Sequence, residues 1–276
     1  MTIRVAHSPD ADDAFMFFAL AHQGVDTGDR RYEHELHDIE TLNRWALEGR
    51  FEVTAVSIHA YAYLADRYAL LTAGASMGEA SYGPRLVARR PMSPDEARGL
   101  TVAVPGTLTS AYLVLKLWAP QVQTVTLPFD SIPEAVATGQ VEAGVLIHEA
   151  QLTYADQKLH LVQDFGTWWH ARCGLPLPLG GNVVRRDLGP ELMAAIGADL
   201  RASVRYALEH RAEALDYALQ FSGGLAREAG DEFVGMYVNQ RTVDYGEEGR
   251  AAVRRLLGEG FERGLIPHAV EPEFVG

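Results

Sequence analysis

The sequence predicts an α/β protein of two lobes with a cleft between them. Three observations carry that prediction. Short apolar runs rich in Val, Ile, Leu and Thr alternate with helix-period segments. At 276 residues the chain suits two lobes better than one. The section from Gly99 to about Gly180 reads as a βαβαβ unit of its own, opening at the loop Pro91–Gly99 and closing in the Gly/Pro-rich stretch Gly174–Gly181. The expected arrangement is discontinuous, with residues 1–98 plus 182–276 as a large lobe and 99–181 as a small inserted lobe. No internal repeat or low-complexity segment is visible.

Taken in order, Thr2–Ala6 is a short apolar strand stopped by a polar turn, and Asp13–Ala21 follows as a helix. Tyr32–His37 is the next strand. Asp38 is a fitting N-cap for a helix over Ile39–Glu48, with Gly49 just past its end. Glu52–Ile58 then reads as strand and Ala60–Tyr68 as helix. Leu86–Arg89 and Leu100–Val104 are strands, Pro105-Gly106 is a break, and Ser110–Trp118 is a helix. The strand Thr124–Pro128 leads to a helix Ile132–Thr138 ending at Gly139. Ala143–Ile147, Leu159–Gln163 and Gly181–Arg185 complete the strands. Glu191–Phe221 places Leu192, Ile196, Leu200, Val204 and Leu208 four apart on one helical face. Glu247–Arg263 does the same with Val253, Leu256, Leu257 and Phe261.

With 24 Lys and Arg against 37 Asp and Glu, the net charge is −13. That argues against nucleic-acid binding, which draws on a basic patch. An anionic ligand stays open, because a helix N-terminus binds anions against an acidic background. Cys173 is the single cysteine, which excludes an internal disulfide and a multi-cysteine zinc site. No apolar run approaches the roughly 18 to 20 residues of a membrane span. Nor does the N-terminus show the apolar core of about 7–15 residues found in a signal peptide. The expectation is a soluble, cytoplasmic protein with no membrane partner.

Four segments have the composition of site residues. In His7-Ser8-Pro9-Asp10-Ala11-Asp12-Asp13 a strand gives way to a helix, the place where α/β sheets bind ligands. Its acids fit a capped turn or a ligand wall, and the spacing fails the EF-hand pattern. In Val104-Pro105-Gly106 leading to Thr109-Ser110, hydroxyl residues open a helix, which is either an ordinary cap or a carboxylate site. Ala143–Ile147 delivers His148-Glu149 at a strand end. A zinc-protease pair would need His at 152, where Leu152 stands, so His148 is a buried structural histidine or a metal-free base. Ala55-Val56-Ser57-Ile58-His59 ends another strand in a hydroxyl and an imidazole. His34 and His37 fall on opposite faces of a strand and make no metal pair. Trp168-Trp169 is an apolar wall or lobe packing.

Five blocks together resemble one family. They are His7-Ser8-Pro9-Asp10-Ala11-Asp12-Asp13-Ala14-Phe15, Asp38-Ile39-Glu40-Thr41-Leu42-Asn43, Val104-Pro105-Gly106 with Thr109-Ser110-Ala111-Tyr112, Gly144-Val145-Leu146-Ile147-His148-Glu149 with Thr153-Tyr154, and Gly174-Leu175-Pro176-Leu177-Pro178-Leu179-Gly180. Over nearly the whole chain they are similar to the 1,4-dihydroxy-6-naphthoate synthases of the futalosine route to menaquinone. The resemblance implies a two-lobed periplasmic-binding-protein-like (type II) fold. It implies a lyase that cleaves a carbon–carbon bond of cyclic dehypoxanthine futalosine, with His148 as proton acceptor. It implies substrate contacts from Ala55, Val56, Ser57, Thr109 and Ser110; in the mechanism expected from this, Asp13, Asp38, Asn43 and Tyr154 are orienting groups. It implies no metal and no cofactor, a carboxylated aromatic small molecule as partner, and a monomer or homodimer. Many members carry Pro-Asn where Ala11-Asp12 stands, so Asp12 is kept out of the expected site. The alternatives are a chorismate-dehydratase-type sister enzyme, a non-catalytic receptor for a small carboxylate, and a regulatory effector-binding domain.

Overall fold

The computed structural model describes residues 1–221 and 224–276. Among them the strands run β1 (Thr2–His7), β2 (Arg31–Leu36), β3 (Val53–Ser57), β4 (Tyr68–Leu71), β5 (Ser76–Gly78), β6 (Arg85–Ala88), β7 (Thr101–Val104), β8 (Gln123–Thr126), β9 (Ala143–Leu146), β10 (His160–Asp164), β11 (Leu177–Arg185) and β12 (Phe274–Val275). They form two sheets, one ordered β12-β4-β11-β3-β1-β2 with β5 on β11, the other β10-β6-β9-β7-β8.

Both sheets follow one plan. In the first, β1 runs parallel to β2 and β3, and β11 enters antiparallel between β3 and β4. In the second, β7 runs parallel to β8 and β9, and β6 enters antiparallel between β9 and β10. The antiparallel strand is in each case the one arriving from the other lobe. This repeat of topology leaves no trace as a sequence repeat.

The strand pairing also differs from the division 1–98, 99–181, 182–276. β6 belongs to the second sheet, so the first crossing precedes Arg85. Leu177–Gly181 pairs within the first sheet, so the return precedes Leu177. Pro91–Gly99 is a connection inside the second lobe, holding a turn of helix over Pro94–Ala97 with a Ser93/Glu96 capping box. A four-residue apolar strand reads the same whichever sheet accepts it, and this hid the crossing.

Local signals placed most elements. Asp38 caps the helix Ile39–Glu48 through Thr41 N, and Gly49 ends it at φ +72°. Ser110–Trp118 and Ile132–Thr138 occur as expected. The expected helix Ala60–Tyr68 shrinks to Ile58–Tyr61, and Tyr68 instead opens β4, all four of whose residues are buried. Such a strand, covered on both faces, does not alternate. The long expected helix breaks at His210 into Pro190–Glu209 and Arg211–Ala218, both packed on the buried helix Ala11–Ala21. Phe165–Cys173 and Arg227–Tyr237 are helices that the sequence reading missed. Among the described residues, no helix is long and apolar enough to cross a membrane.

Candidate active site

The cleft opens where parallel strands end: β1 at His7, β3 at Ser57, β7 at Val104 and β9 at Leu146. At such carboxyl edges the following turns and helix N-termini expose backbone groups to a ligand. The cavity there spans about 690 Å³ of space between atoms, its open mouth included. Both lobes line it. The turn after β1 contributes Ser8, Asp10, Asp12 and Asp13, and β3 contributes Ala55, Val56 and Ser57. Thr109, Ser110 and Ala111 follow β7, and Ile147, His148 and Gln151 follow β9. Leu179–Asn182 of β11 and the side chains of Phe233 and Tyr237 close the remainder.

His148 stands at the centre of the cavity's titratable groups. The chain leaves β9 through it at φ +54°, a conformation that costs a non-glycine residue about 1–3 kcal/mol and persists where the surroundings enforce it. Its Nδ1 lies 2.7 Å from Asp10 Oδ2, across the cleft. The Phe129 ring packs edge-on at 4.9 Å. Nε2 is buried and has no hydrogen-bond partner among the described residues. A carboxylate on Nδ1 fixes the ring's orientation and tautomer, leaving Nε2 to accept a proton. Asp10 also caps the helix Ala11–Ala21 by accepting from Asp13 N at 3.3 Å, so the helix end holds the carboxylate in place.

Four acids crowd this imidazole, and their protonation reconciles them with burial. Desolvation opposes charge on His148, but Asp10 outweighs it and lifts the ring to about 9. For Asp10, desolvation works upward, yet His148 draws it below the usual carboxylate range. Burial, followed by Asp10 and Asp13, raises Asp12 well above that range. Burial and then Asp10 raise Asp13 to about 8, and the same two causes raise Glu149. At neutral pH the cluster therefore settles as an Asp10–His148 ion pair beside protonated Asp13, with burial pushing Asp12 the same way. Ligand atoms of Asp10, Asp12 and His148 lie within 4.8 Å of one another. A divalent cation there would displace the proton that Asp10 and His148 share.

The opposite chemistry is built at the ends of β3 and β7. Asn43, fully buried, grips Ser57 twice: its Oδ1 accepts from Ser57 N at 2.8 Å and its Nδ2 donates to Ser57 Oγ at 3.1 Å. Thr109 caps its helix, with Oγ1 accepting from Tyr112 N and donating to Gly106 O. Ser110 Oγ donates to Leu179 O and accepts from His59 N. Both hydroxyls thus hold the lobes and the loop. What this segment offers a ligand is the first-turn amides of Ser110 and Ala111, which have no acceptor within the helix.

Of the residues singled out from sequence, His148, Asp13, Ala55, Val56, Ser57, Thr109 and Ser110 line one cavity. Asn43 stands behind Ser57. Asp38 and Tyr154 do not reach the cavity. Asp38 is spent on Thr41, accepting from its N and its Oγ1. The Tyr154 ring lies under the Arg85 guanidinium, against the core of Val87, Leu146 and Leu159. Trp169 is fully buried and donates to Pro176 O, so the tryptophan pair is packing. Asp12, set aside from sequence, does line the cavity. Asp10 was also missed as a partner of His148, although it stands at the strand–helix turn that marked the block. Gln151, Asn182 and Tyr237 were missed because only the folded chain brings them there.

The chain is similar to known proteins over its whole length. A family model described as menaquinone biosynthesis matches residues 3–262. A 1,4-dihydroxy-6-naphthoate synthase of Thermus thermophilus is 46% identical over 273 residues, 99% of each chain. The X-ray structure of an Archaeoglobus fulgidus protein superposes at TM-score 0.92 with 48% identity, covering 96% of this chain and 98% of that one. The periplasmic aliphatic sulphonate binding protein of Escherichia coli, 14% identical, superposes at 0.68 over 100% of this chain and 94% of its own. That last likeness shows the two-lobed periplasmic-binding-protein-like fold. Taken with the geometry of the cleft, the full-length matches show that the chain belongs to the menaquinone-biosynthesis family of 1,4-dihydroxy-6-naphthoate synthases.

Proposed function

We propose that this enzyme converts cyclic dehypoxanthine futalosine to 1,4-dihydroxy-6-naphthoate as a carbon–carbon lyase, with His148 as the base, in the cytoplasm. The observation that carries the reading is the imidazole itself: Nδ1 held by Asp10, Nε2 unpartnered in a cavity walled by both lobes. The substrate carboxylate seats on the Ser110 and Ala111 amides beside Ser57, where the helix dipole favours an anion. Ala55 and Val56 flank the ring, and Asn43 keeps Ser57 in position.

His148 Nε2 takes the proton beside the ring ketone. The electron pair forms an enolate, which is protonated to the ring enol. The carbon–carbon bond to the sugar remnant then breaks with its electron pair passing to the ring, while a hydroxyl oxygen on the departing carbon becomes a carbonyl and yields its proton to the ring oxygen. That remnant leaves, and the ring becomes aromatic, which drives the step. Asp10 stabilises the imidazolium that forms. Neither a metal nor a redox cofactor enters this sequence. Closure of the lobes excludes water from the enolate.

The test is to incubate the purified protein with cyclic dehypoxanthine futalosine and assay for the naphthoate, with His148→Asn alongside. Product from the parent, lost in a folded His148→Asn protein that still binds substrate, is the expected result. No product from folded parent overturns the reading. Tight binding without turnover would then mark a receptor, and consumption of chorismate the sister dehydratase.

A further inference from the structure

Among the described residues, three buried side-chain atoms without a hydrogen-bond partner belong to residues lining this one cavity: His148 Nε2, Asp12 Oδ1 and Asn182 Oδ1. The first is the base. The other two have no part in the proton transfer, yet both belong to side chains more than nine-tenths buried, at 6% and 1% exposure.

Asn182 sits on β11 opposite Ala55 of β3. Its Nδ2 donates to the Gly74 carbonyl at 3.0 Å. A carbonyl accepts only from the amide's NH₂, so this bond fixes which atom is which. Oδ1 is therefore an acceptor with no protein donor. Gly74 allows that approach by lacking a side chain: at its φ of +81°, a Cβ would lie 2.4 Å from Asn182 Nδ2. On Asp12, Oδ2 receives a long 3.4 Å bond from Ser76 Oγ, and Oδ1 receives none. Ser76 itself belongs to β5, which pairs with β11.

Unpaired buried acceptors are costly, and structures rarely keep them without a partner that arrives later. An unpaired amide oxygen and an unpaired carboxyl oxygen in one cavity call for a ligand carrying hydroxyl groups, which both donate and accept. A carboxylate brings acceptors only and is already provided for at Ser110 and Ala111. We propose that Asn182, Asp12 and Ser76 form the subsite for the sugar part of the substrate, whose hydroxyl groups donate to Asn182 Oδ1 and hydrogen-bond Asp12 Oδ1. The inference rests on the function proposed above and adds to it: this wall reads the sugar, while the β3–β7 wall reads the aromatic acid.

The test compares two ligands by calorimetry in the His148→Asn protein, which holds substrate without turning it over. Cyclic dehypoxanthine futalosine carries the sugar, and 1,4-dihydroxy-6-naphthoate lacks it. Adding Asn182→Ala or Asp12→Ala is expected to weaken the sugar-bearing ligand about tenfold, as for one lost hydrogen bond. The naphthoate Kd should stay within about twofold, which also shows that the variant is folded. Equal weakening of both ligands, or of neither, overturns the subsite. Should Asn182→Ala unfold, Asp12→Ala decides alone by the same criterion, because alanine suits its place in the first helical turn. Failure of the parent protein to bind the sugar-bearing ligand at all is a different result, and it overturns the functional reading itself.

Discussion

At the scale of single residues, the proposed mechanism makes the Asp10–His148 pair set the pH behaviour. As the proposed base His148 must be neutral, and the imidazole gains its proton below about 9. At pH 7 roughly one molecule in a hundred then carries the neutral ring, in exchange for a stronger base. We expect kcat/KM to rise about tenfold per pH unit through neutrality and to level off near pH 9. In Asp10→Asn the carboxylate that raises His148 is gone while burial remains, so the rise should move to lower pH. Its plateau should fall on the order of 10²-fold, because the ring loses basicity and orientation. A pH–rate profile of the two proteins checks this, and an unmoved limb in the variant would assign the titration to another group, such as Asp13.

At the scale of elements, caps explain both a success and an error of sequence reading. Asp38 carried one signal, an acid just before a helix, which serves equally for a cap and for a ligand contact. The structure assigns it to the cap. Asp38→Ala should therefore cost about 1 kcal/mol of stability, lowering Tm by about 2–4 °C in a domain of this size. Its kcat/KM should stay unchanged. Thermal melts and initial rates decide, and a stable but inactive variant would return Asp38 to the site. Tyr154 failed for a related reason: its block was specific, but the short helix Ala150–Thr153 turns its ring into the core of the second lobe.

For the whole molecule, the structure is a closed form in which the lobes hold each other across the cleft. Besides Asp10–His148, Glu40 Oε2 accepts from Leu108 N at 3.2 Å, Glu149 Oε1 from Ala11 N at 3.3 Å, and Tyr237 OH donates to Gln151 Oε1 at 2.7 Å. Ser110 also bonds His59 N and Leu179 O across the lobes, and one apolar cluster runs through both, so these polar contacts adjust closure at the cleft rather than carry it alone. Removing two of them in Glu40→Ala/Tyr237→Phe should enlarge the radius of gyration of the free protein in small-angle scattering. KM should rise more than kcat falls, and saturating substrate should restore the compact form. Identical scattering from parent and variant would show that closure rests on the strands β6 and β11 instead.

The sequence by itself determined the fold class, most strands, the principal helices and the place of His148 at a strand end. Those features rest on local periodicity, turn residues and caps, which a chain carries wherever it folds. Only the tertiary structure decided which sheet takes β6 and Leu177–Gly181, and which side chains meet in the cleft. Asp10 and His148 are far apart in the chain, as are Asp12 and Asn182. Their meeting depends on the crossing of two strands between lobes, and their protonation on burial and on neighbours that no local pattern records.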